Sequence, residues 1–173
     1  VIGMPGIMSG LDMISVFRPG AKLLLDLVDH PSQVHRCIGE IRAAFAQQWG
    51  LFERLLAPTA PGWSSWDGMY SPSPCYTFQC DFAYMLGPRM FDEFVKPELA
   101  VTCRRLDHAF YHLAGIGQLA HLDSLLSIPE LKGVQWIPGD GQPGVTHWPE
   151  VYRKIRKAGK LVQVFAGQDQ SGC

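Results

Sequence analysis

Short apolar segments alternate with longer amphipathic ones along this chain, and that order constrains the fold more than any other feature. Segments with the length and the aromatic or branched residues typical of strands lie at 62–67, 76–80, 109–113, 131–137 and 161–165. Neighbouring parallel strands need a connection of about a dozen residues, which a helix supplies. The alternation therefore predicts an α/β fold built on a parallel sheet with right-handed crossovers.

The helices are predicted from apolar residues that recur on one helical face. The clearest helix begins after Asp29 and runs to Leu56, with apolar residues spaced three or four apart. A second helix, at 88–106, is expected to kink at Pro97 because proline has no backbone N–H to donate. Shorter helices are predicted at 119–126 and 148–158, and an opening strand is predicted at 1–4.

Composition and charge exclude several classes of protein. With 47% hydrophobic and 18% charged residues, the chain is expected to fold rather than to be disordered. A formal net charge of −1 provides no basic field for nucleic acid, and the apolar stretches are shorter than the ~20 residues that span a bilayer. The five cysteines lack a repeated short spacing and predict reduced thiols. We therefore expect a soluble, cytoplasmic protein that binds a small molecule, and neither nucleic acid nor membrane.

Candidate functional residues are those that end the predicted strands. A closed parallel barrel and an open doubly wound sheet both fit the alternation, and no G-x-G-x-x-G motif supports dinucleotide binding. In a parallel barrel the active site lies at the carboxyl ends of the strands. The residues at these ends are Asp67, Cys80, Asp81, His112 and Trp136.

Each of these residues also has a purely structural explanation. Strand-end aspartates such as Asp67 and Asp81 often cap a following turn. Cys80 can pack as a small hydrophobic residue, and Trp136 can belong to the core or to a pocket wall. His112 is the most informative of the five, because imidazole can ligate a metal or transfer protons near neutral pH.

One segment, Cys80-Asp81-Phe82-Ala83-Tyr84-Met85-Leu86-Gly87-Pro88-Arg89-Met90-Phe91-Asp92-Glu93-Phe94, resembles the strand-to-helix segment of the uroporphyrinogen-decarboxylase superfamily. The resemblance continues through 97–99, 111–115, 122–128 and 134–136, and more weakly at 2–6. It implies an incomplete TIM-type barrel, a single partial domain over 1–173 with about four to five βα units of the eightfold fold. By the same resemblance, the early strands and the last strand are expected to be absent.

The resemblance favours a lyase of the decarboxylase type that acts on an acidic substrate. From the strand-end positions we expect His112, Asp81 and Asp67 to be catalytic, and we expect Trp136, Phe82 and Met4 to bind the substrate. The decarboxylases carry a tyrosine and a serine where this sequence has Ile14 and Phe82. Those two departures leave the exact reaction open.

Two alternatives to a decarboxylase follow from the same residues. Related methyltransferases hold zinc with a His-x-Cys pair, and here that pair reads His112 and Ala114. A zinc ion held by His112 would therefore need Cys80 or Asp81, from the neighbouring strand end, in place of the lost cysteine, and Cys80 is the candidate zinc ligand beside His112. The other alternative is a non-catalytic fragment or paralogue that serves binding or assembly. An incomplete barrel exposes strand edges, so the partner expected in that case is another copy or a complementing chain.

Overall fold

The computed structural model describes residues 3–8 and 10–165 and shows a mixed α/β architecture. Its α-helices are α1 (Gly10–Phe17), α2 (Gly20–Asp29), α3 (Pro31–Leu56), α4 (Pro88–Phe94), α5 (Lys96–Cys103), α6 (Leu122–Leu126) and α7 (Pro149–Lys157). Its strands are β1 (Trp63–Ser64), β2 (Tyr70–Ser71), β3 (Cys75–Gln79), β4 (His108–Ala114), β5 (Leu131–Ile137) and β6 (Leu161–Gln163). Short 3-10 turns lie at Asp81–Met85, Ile116–His121 and Val145–His147.

Four strands form one parallel sheet in the order β3-β4-β5-β6, which is also their order along the chain. The predicted α/β fold class and parallel sheet are thus confirmed. Among the described residues the sheet is open: β3 and β6 form its two edges, and it does not close on itself. No described helix is both long enough and apolar enough to cross a membrane.

The two faces of the sheet differ in what covers them. Partners in a parallel ladder point to the same face, so the register assigns every strand residue to one side. On the helix-covered face, Phe78 pairs with Tyr111 and then Val134, and Leu113 pairs with Trp136. On the opposite face, which we call the open face, one row of register partners is polar, and the neighbouring row contains both polar and apolar residues.

The helix-covered face holds the aromatic core. Phe45 of α3 lies 5.9 Å from the ring of Phe78, and Phe91 of α4 packs edge-on to Tyr111 at 6.4 Å. Trp136 meets Trp148 edge-on at 5.3 Å, at the start of α7. All of these rings except Trp148 are buried, so this face supplies most of the hydrophobic free energy of folding.

Pro97 interrupts a helix, as the sequence predicts. The predicted 88–106 helix divides into α4 and α5 at Val95, whose backbone angles are φ −108° and ψ −52°. Pro97 lies in the first turn of α5, where its missing N–H leaves no intrahelical acceptor unsatisfied. The two short helices are therefore separated at Val95 without losing an internal hydrogen bond at the proline.

Three predictions about local structure were wrong or incomplete. The segment 62–67 does not join the parallel sheet, since only Trp63–Ser64 is a strand and it pairs antiparallel with β2. The turn is made at Gly68, whose φ of +81° suits glycine alone, and the Asp67-Gly68 pair is a hairpin signal that the sequence prediction overlooked. Residues 3 and 4 are not a strand, although Met4 N–H donates to the Ser64 carbonyl, and residues 1 and 2 lie outside the described part.

The sequence prediction also missed α1 and α2. Leu23 and Leu27 are the buried residues of α2, and Leu11 is buried in α1, so the leucines spaced by four in α2 were the available signal. Both helices are short, and each exposes apolar side chains such as Phe17 and Val28 on its outer surface. Because few apolar residues of these helices are buried and others are exposed, their apolar positions do not follow a clear helical period.

Candidate active site

A row of polar side chains crosses the open face of the sheet near the carboxyl ends of its strands. Gln79 of β3 pairs with His112 of β4, His112 pairs with Gln135 of β5, and Gln135 pairs with Gln163 of β6. Parallel sheets with both faces covered carry near-continuous apolar runs. A row of three amides and one imidazole therefore marks this face as one that meets polar groups or water.

Asp67, in the loop between β1 and β2, is joined to this row by hydrogen bonds. Its Oδ2 accepts from Thr77 Oγ1 at 2.7 Å and from Gln135 Nε2 at 3.1 Å, and its Oδ1 accepts from Met69 N–H at 3.3 Å. The Asp67 carboxyl is 9% exposed and Thr77 and Gln135 are fully buried. A buried carboxyl with three donors is held in one orientation, because each lost donor would leave charge unsolvated.

His112 lies between Gln135 and an indole ring. Its Nδ1 is hydrogen-bonded to Gln135 Oε1, and its ring meets Trp66 edge-on with centroids 5.4 Å apart. The imidazole is half-buried, and its Nε2 has no protein hydrogen-bond partner within 3–8 and 10–165. Nε2 is thus the ring atom left for a ligand, a metal or water.

The loop that carries Asp67 also covers the outer edge of β3. Ser65 Oγ accepts from Thr77 N–H at 3.1 Å, and Trp66 Nε1 donates to the Thr77 carbonyl at 2.8 Å. These side chains occupy backbone groups that a neighbouring strand would otherwise pair. The arrangement fixes Trp66 beside His112 and explains why the predicted strand 62–67 is not part of the sheet.

A cleft of about 190 Å³ opens at this edge of the sheet, next to the polar row. It is lined by Trp66, Tyr76, Thr77 and Gln79 and by residues 6–8. The segment 6–8 is anchored through Ile7, whose N–H donates to Tyr76 Oη at 2.6 Å. The lining combines apolar and polar side chains, as small-molecule sites usually do.

The three predicted substrate-binding residues lie away from the open face. Trp136 is fully buried on the helix-covered face, and Phe82 and Met4 are 4% and 2% exposed in the hydrophobic core. Their side chains support the fold and do not reach the polar row. The physical reason is alternation: Trp136 follows Gln135 in β5 and must point to the other side of the sheet.

The predicted catalytic and metal-binding residues divide between the two faces. His112 and Asp67 are brought together through Gln135. Cys80 follows β3, is 4% exposed and lines a buried cavity with Glu98 and Tyr111 on the helix-covered side, away from His112. Asp81 is exposed in the 3-10 turn after β3, and no described side-chain hydrogen bond joins it to the row.

A second polar cluster is buried on the helix-covered side. Asp12 of α1 accepts N–H hydrogen bonds from Asp81 at 2.9 Å and Phe82 at 2.8 Å, and so ties α1 to the turn after β3. Burial raises the pKa of Asp12, and these two N–H donors oppose the rise. Burial, together with the charge of Asp12, also raises the pKa of the Cys80 thiol well above its usual value. This shift disfavours the thiolate, which is the reactive form of cysteine.

Glu98 of α5 belongs to the same buried cluster. Burial raises its pKa to about 7, against the lowering effects of Arg42 and the Gly10 N–H. Its Oε1 has no hydrogen-bond partner in the described part of the chain, and a cavity of about 20 Å³ lies beside it, large enough for one water molecule. Gly10 has φ +52°, and a Cβ there would lie 2.2 Å from Glu98 Oε2, so only glycine fits.

The donor set around His112 does not fit a zinc ion. Zinc is bound by three or more protein ligands, and no group of three histidine, cysteine, aspartate or glutamate side chains with metal-binding geometry occurs within 3–8 and 10–165. Asp67 is hydrogen-bonded to Thr77 and Gln135, and Cys80 lines a buried cavity on the helix-covered side. The His112–Cys80 pair expected from the sequence is therefore not formed.

The residues that sequence reasoning missed are the glutamines and Trp66. Gln79, Gln135 and Gln163 each stand at the open-face position of a predicted strand, and a polar residue repeated in the strands of a parallel sheet is the signal that would have identified them. Only the register shows that they align with His112. Comparison with protein-family models, with curated proteins and with solved structures finds no match.

Proposed function

We propose that the open face is the active-site face of a (β/α)-barrel enzyme of the lyase type, in which His112 transfers a proton to or from an acidic small molecule. The observation that carries this proposal is the polar row with His112 at its centre and Asp67 beneath it. The resemblance to the uroporphyrinogen-decarboxylase superfamily favours decarboxylation as the reaction.

The barrel part of the proposal is supported by the order of the strands and the position of the helices. A doubly wound sheet reverses its strand order at a switch point and has helices on both faces. Here the strand order is sequential over all four strands, and in the part of the chain that the structure describes the helices α3, α4 and α7 pack on one face. A parallel sheet with one helix-free face is the local arrangement of a barrel wall, whose inner face lines the active site.

The proposed chemistry assigns His112 the role of acid. In its protonated form the imidazolium holds the substrate carboxylate by charge. When the carbon–carboxyl bond breaks, carbon dioxide leaves, the electron pair stays on the substrate carbon, and Nε2–H delivers the proton to that carbon. None of the register-paired residues of the open face is lysine or arginine, so the imidazolium is the positive charge that this part of the sheet offers to an acidic substrate.

The test is turnover of porphyrinogen carboxylates by the full-length protein, compared between the wild type, H112Q and the control H147Q. His147 is an exposed histidine in a 3-10 turn. We expect H112Q to lower turnover about 10²- to 10⁴-fold and H147Q to change it less than about twofold. Turnover retained by H112Q would overturn the assignment of His112.

Binding is tested separately through Trp66, which is 40% exposed and lies beside His112. An acidic tetrapyrrole that binds the open face should quench its fluorescence, and the W66F variant should lose that part of the signal. A titration in which neither wild-type fluorescence nor carbon dioxide release responds would rule out the decarboxylase proposal.

A further inference from the structure

We infer that Asp67 is a positioning residue that acts through Gln135 to fix the tautomer of His112, so that Nδ1 carries the proton and Nε2 is the atom that exchanges protons with a ligand. This inference deepens the proposed function of the open face by assigning roles to Asp67 and Gln135. It concerns the state of the free protein and is measurable without a substrate.

The first step is the orientation of the Gln135 amide. A carboxylate only accepts hydrogen bonds, so the Gln135 atom facing Asp67 Oδ2 at 3.1 Å is the Nε2 donor. The second N–H of that NH₂ group is directed to Gln163 Oε1, also at 3.1 Å. Gln135 is fully buried, so no solvent competes for its donors. Asp67 therefore sets which end of the amide lies on the His112 side.

The second step passes this orientation to the imidazole. With both of its donors used, Gln135 presents Oε1 to His112, and a carbonyl oxygen can only accept. Nδ1 must then carry a hydrogen. In the neutral ring the other nitrogen, Nε2, holds the lone pair, because a neutral imidazole has one donor and one acceptor.

The third step concerns what Nε2 faces. The neighbouring aromatic group is the Trp66 ring, which meets His112 edge-on, and no protein acceptor or donor engages Nε2 within 3–8 and 10–165. A proton gained at Nε2 is thus delivered from the side of the ring remote from Gln135. After delivery the ring returns to the tautomer that Gln135 already stabilises, so no reorientation is needed between turnovers.

The experiment is to record long-range ¹H–¹⁵N spectra of the histidine-labelled chain above the titration range of His112, with H112Q identifying its signals. We expect the wild type to hold the Nδ1–H tautomer. D67N gives Gln135 a neighbour that can donate as well as accept, which frees the amide to turn, and we expect the ratio of Nδ1–H to Nε2–H forms to fall about tenfold. Two outcomes overturn the inference: an Nε2–H wild type, or a D67N spectrum unchanged from the wild type.

A matched control removes the other bond to the same carboxylate oxygen. T77V deletes the Thr77 Oγ1 hydrogen bond to Asp67 Oδ2 and leaves Gln135 in place, so we expect the wild-type tautomer. If D67N does not fold, Q135L removes the Oε1 acceptor directly and should lower the Nδ1–H to Nε2–H ratio in the same direction. An unchanged ratio in Q135L would overturn the inference equally.

The inference and the proposed function fail in different ways. If H112Q keeps full turnover while the tautomer depends on Asp67, the enzyme proposal is wrong and the positioning network stands. If H112Q loses turnover while the wild type is the Nε2–H form, the proton-transfer role stands and the Asp67–Gln135 relay is wrong.

Discussion

The two faces of the four-stranded sheet are made from alternate residues of the same strands, yet one face packs against helices and the other carries a row of polar side chains. Leu113 and Trp136 point to the helix-covered side, and both are 0% exposed. Their immediate neighbours His112 and Gln135 form a hydrogen-bonded network on the open side. Because neighbouring residues point to opposite faces, we expect substitutions on the helix-covered face to change stability and substitution of His112 to change activity. The predictions below test that difference.

The largest difference is expected between neighbouring residues of β4. L113A leaves a cavity in the closed core and should lower the free energy of unfolding by about 2–5 kcal/mol. H112Q loses the Nδ1–H bond to Gln135 Oε1 and should cost about 1 kcal/mol. Urea unfolding of the two variants measures both values. Equal losses would show that the open face is as important for stability as the core.

The buried carboxyl of the helix-covered side should make stability depend on pH. The pKa of Glu98 rises from 4.5 to about 7 on folding, so the folded state binds a proton that the unfolded state releases between those values. Stability therefore falls as pH rises from 4.5 to about 7, by about 3 kcal/mol at 1.36 kcal/mol per unit. Above pH 7 this contribution is constant.

E98Q removes that titration and should flatten the pH dependence of the unfolding free energy. The control is E150Q, a residue whose side chain is 82% exposed on α7, which should leave the wild-type slope unchanged. Thermal unfolding of the three proteins from pH 5 to pH 8 makes the comparison. A slope that persists in E98Q would place its origin in another group, with Asp12 the next candidate because burial raises its pKa too.

A smaller effect is expected in the row of open-face residues that precedes the polar row along the strands. Phe110 and Gly133 are register partners, and a Cβ on Gly133 would lie 2.2 Å from Phe110 Cε1. G133A should therefore cost about 1–3 kcal/mol through overpacking. The double variant F110L/G133A should recover part of that loss. If G133A is neutral, Phe110 moves freely and this level of the open face is not packed.

The smallest effect is expected at the far end of the row. Q163L removes the acceptor for one Gln135 N–H, and Gln163 is half-buried on the edge strand β6, so the expected cost is about 1 kcal/mol. Denaturant midpoints of Q163L and the wild type test this. A loss as large as that of L113A would mean that the polar row is needed for the sheet itself.

The sequence predicted the repeating elements well because they depend on local period. β5 matches the predicted 131–137 range, α3 matches the predicted long helix, and the break at Pro97 follows from its missing N–H. The segment 62–67 was predicted to join the sheet because the sequence does not show that Ser65 and Trp66 bond to β3 through their side chains, which is a tertiary contact.

The site was predicted only in part for a similar reason. Asp67 and His112 were chosen as strand-end residues, but their connection through Gln135 depends on the register between β4 and β5. Cys80 and Trp136 were assigned to the site although alternation directs them to the helices. The positions of the strands could be predicted from the sequence, whereas the alignment of the polar residues with His112 depends on the register between strands.

The most direct test of the account is to measure turnover and unfolding free energy together in H112Q and L113A. We predict that H112Q loses turnover at least about 100-fold with a stability change of about 1 kcal/mol, and that L113A keeps most of its turnover at a temperature where it remains folded. The opposite pattern, with turnover retained in H112Q, would contradict the assignment of chemistry to the open face.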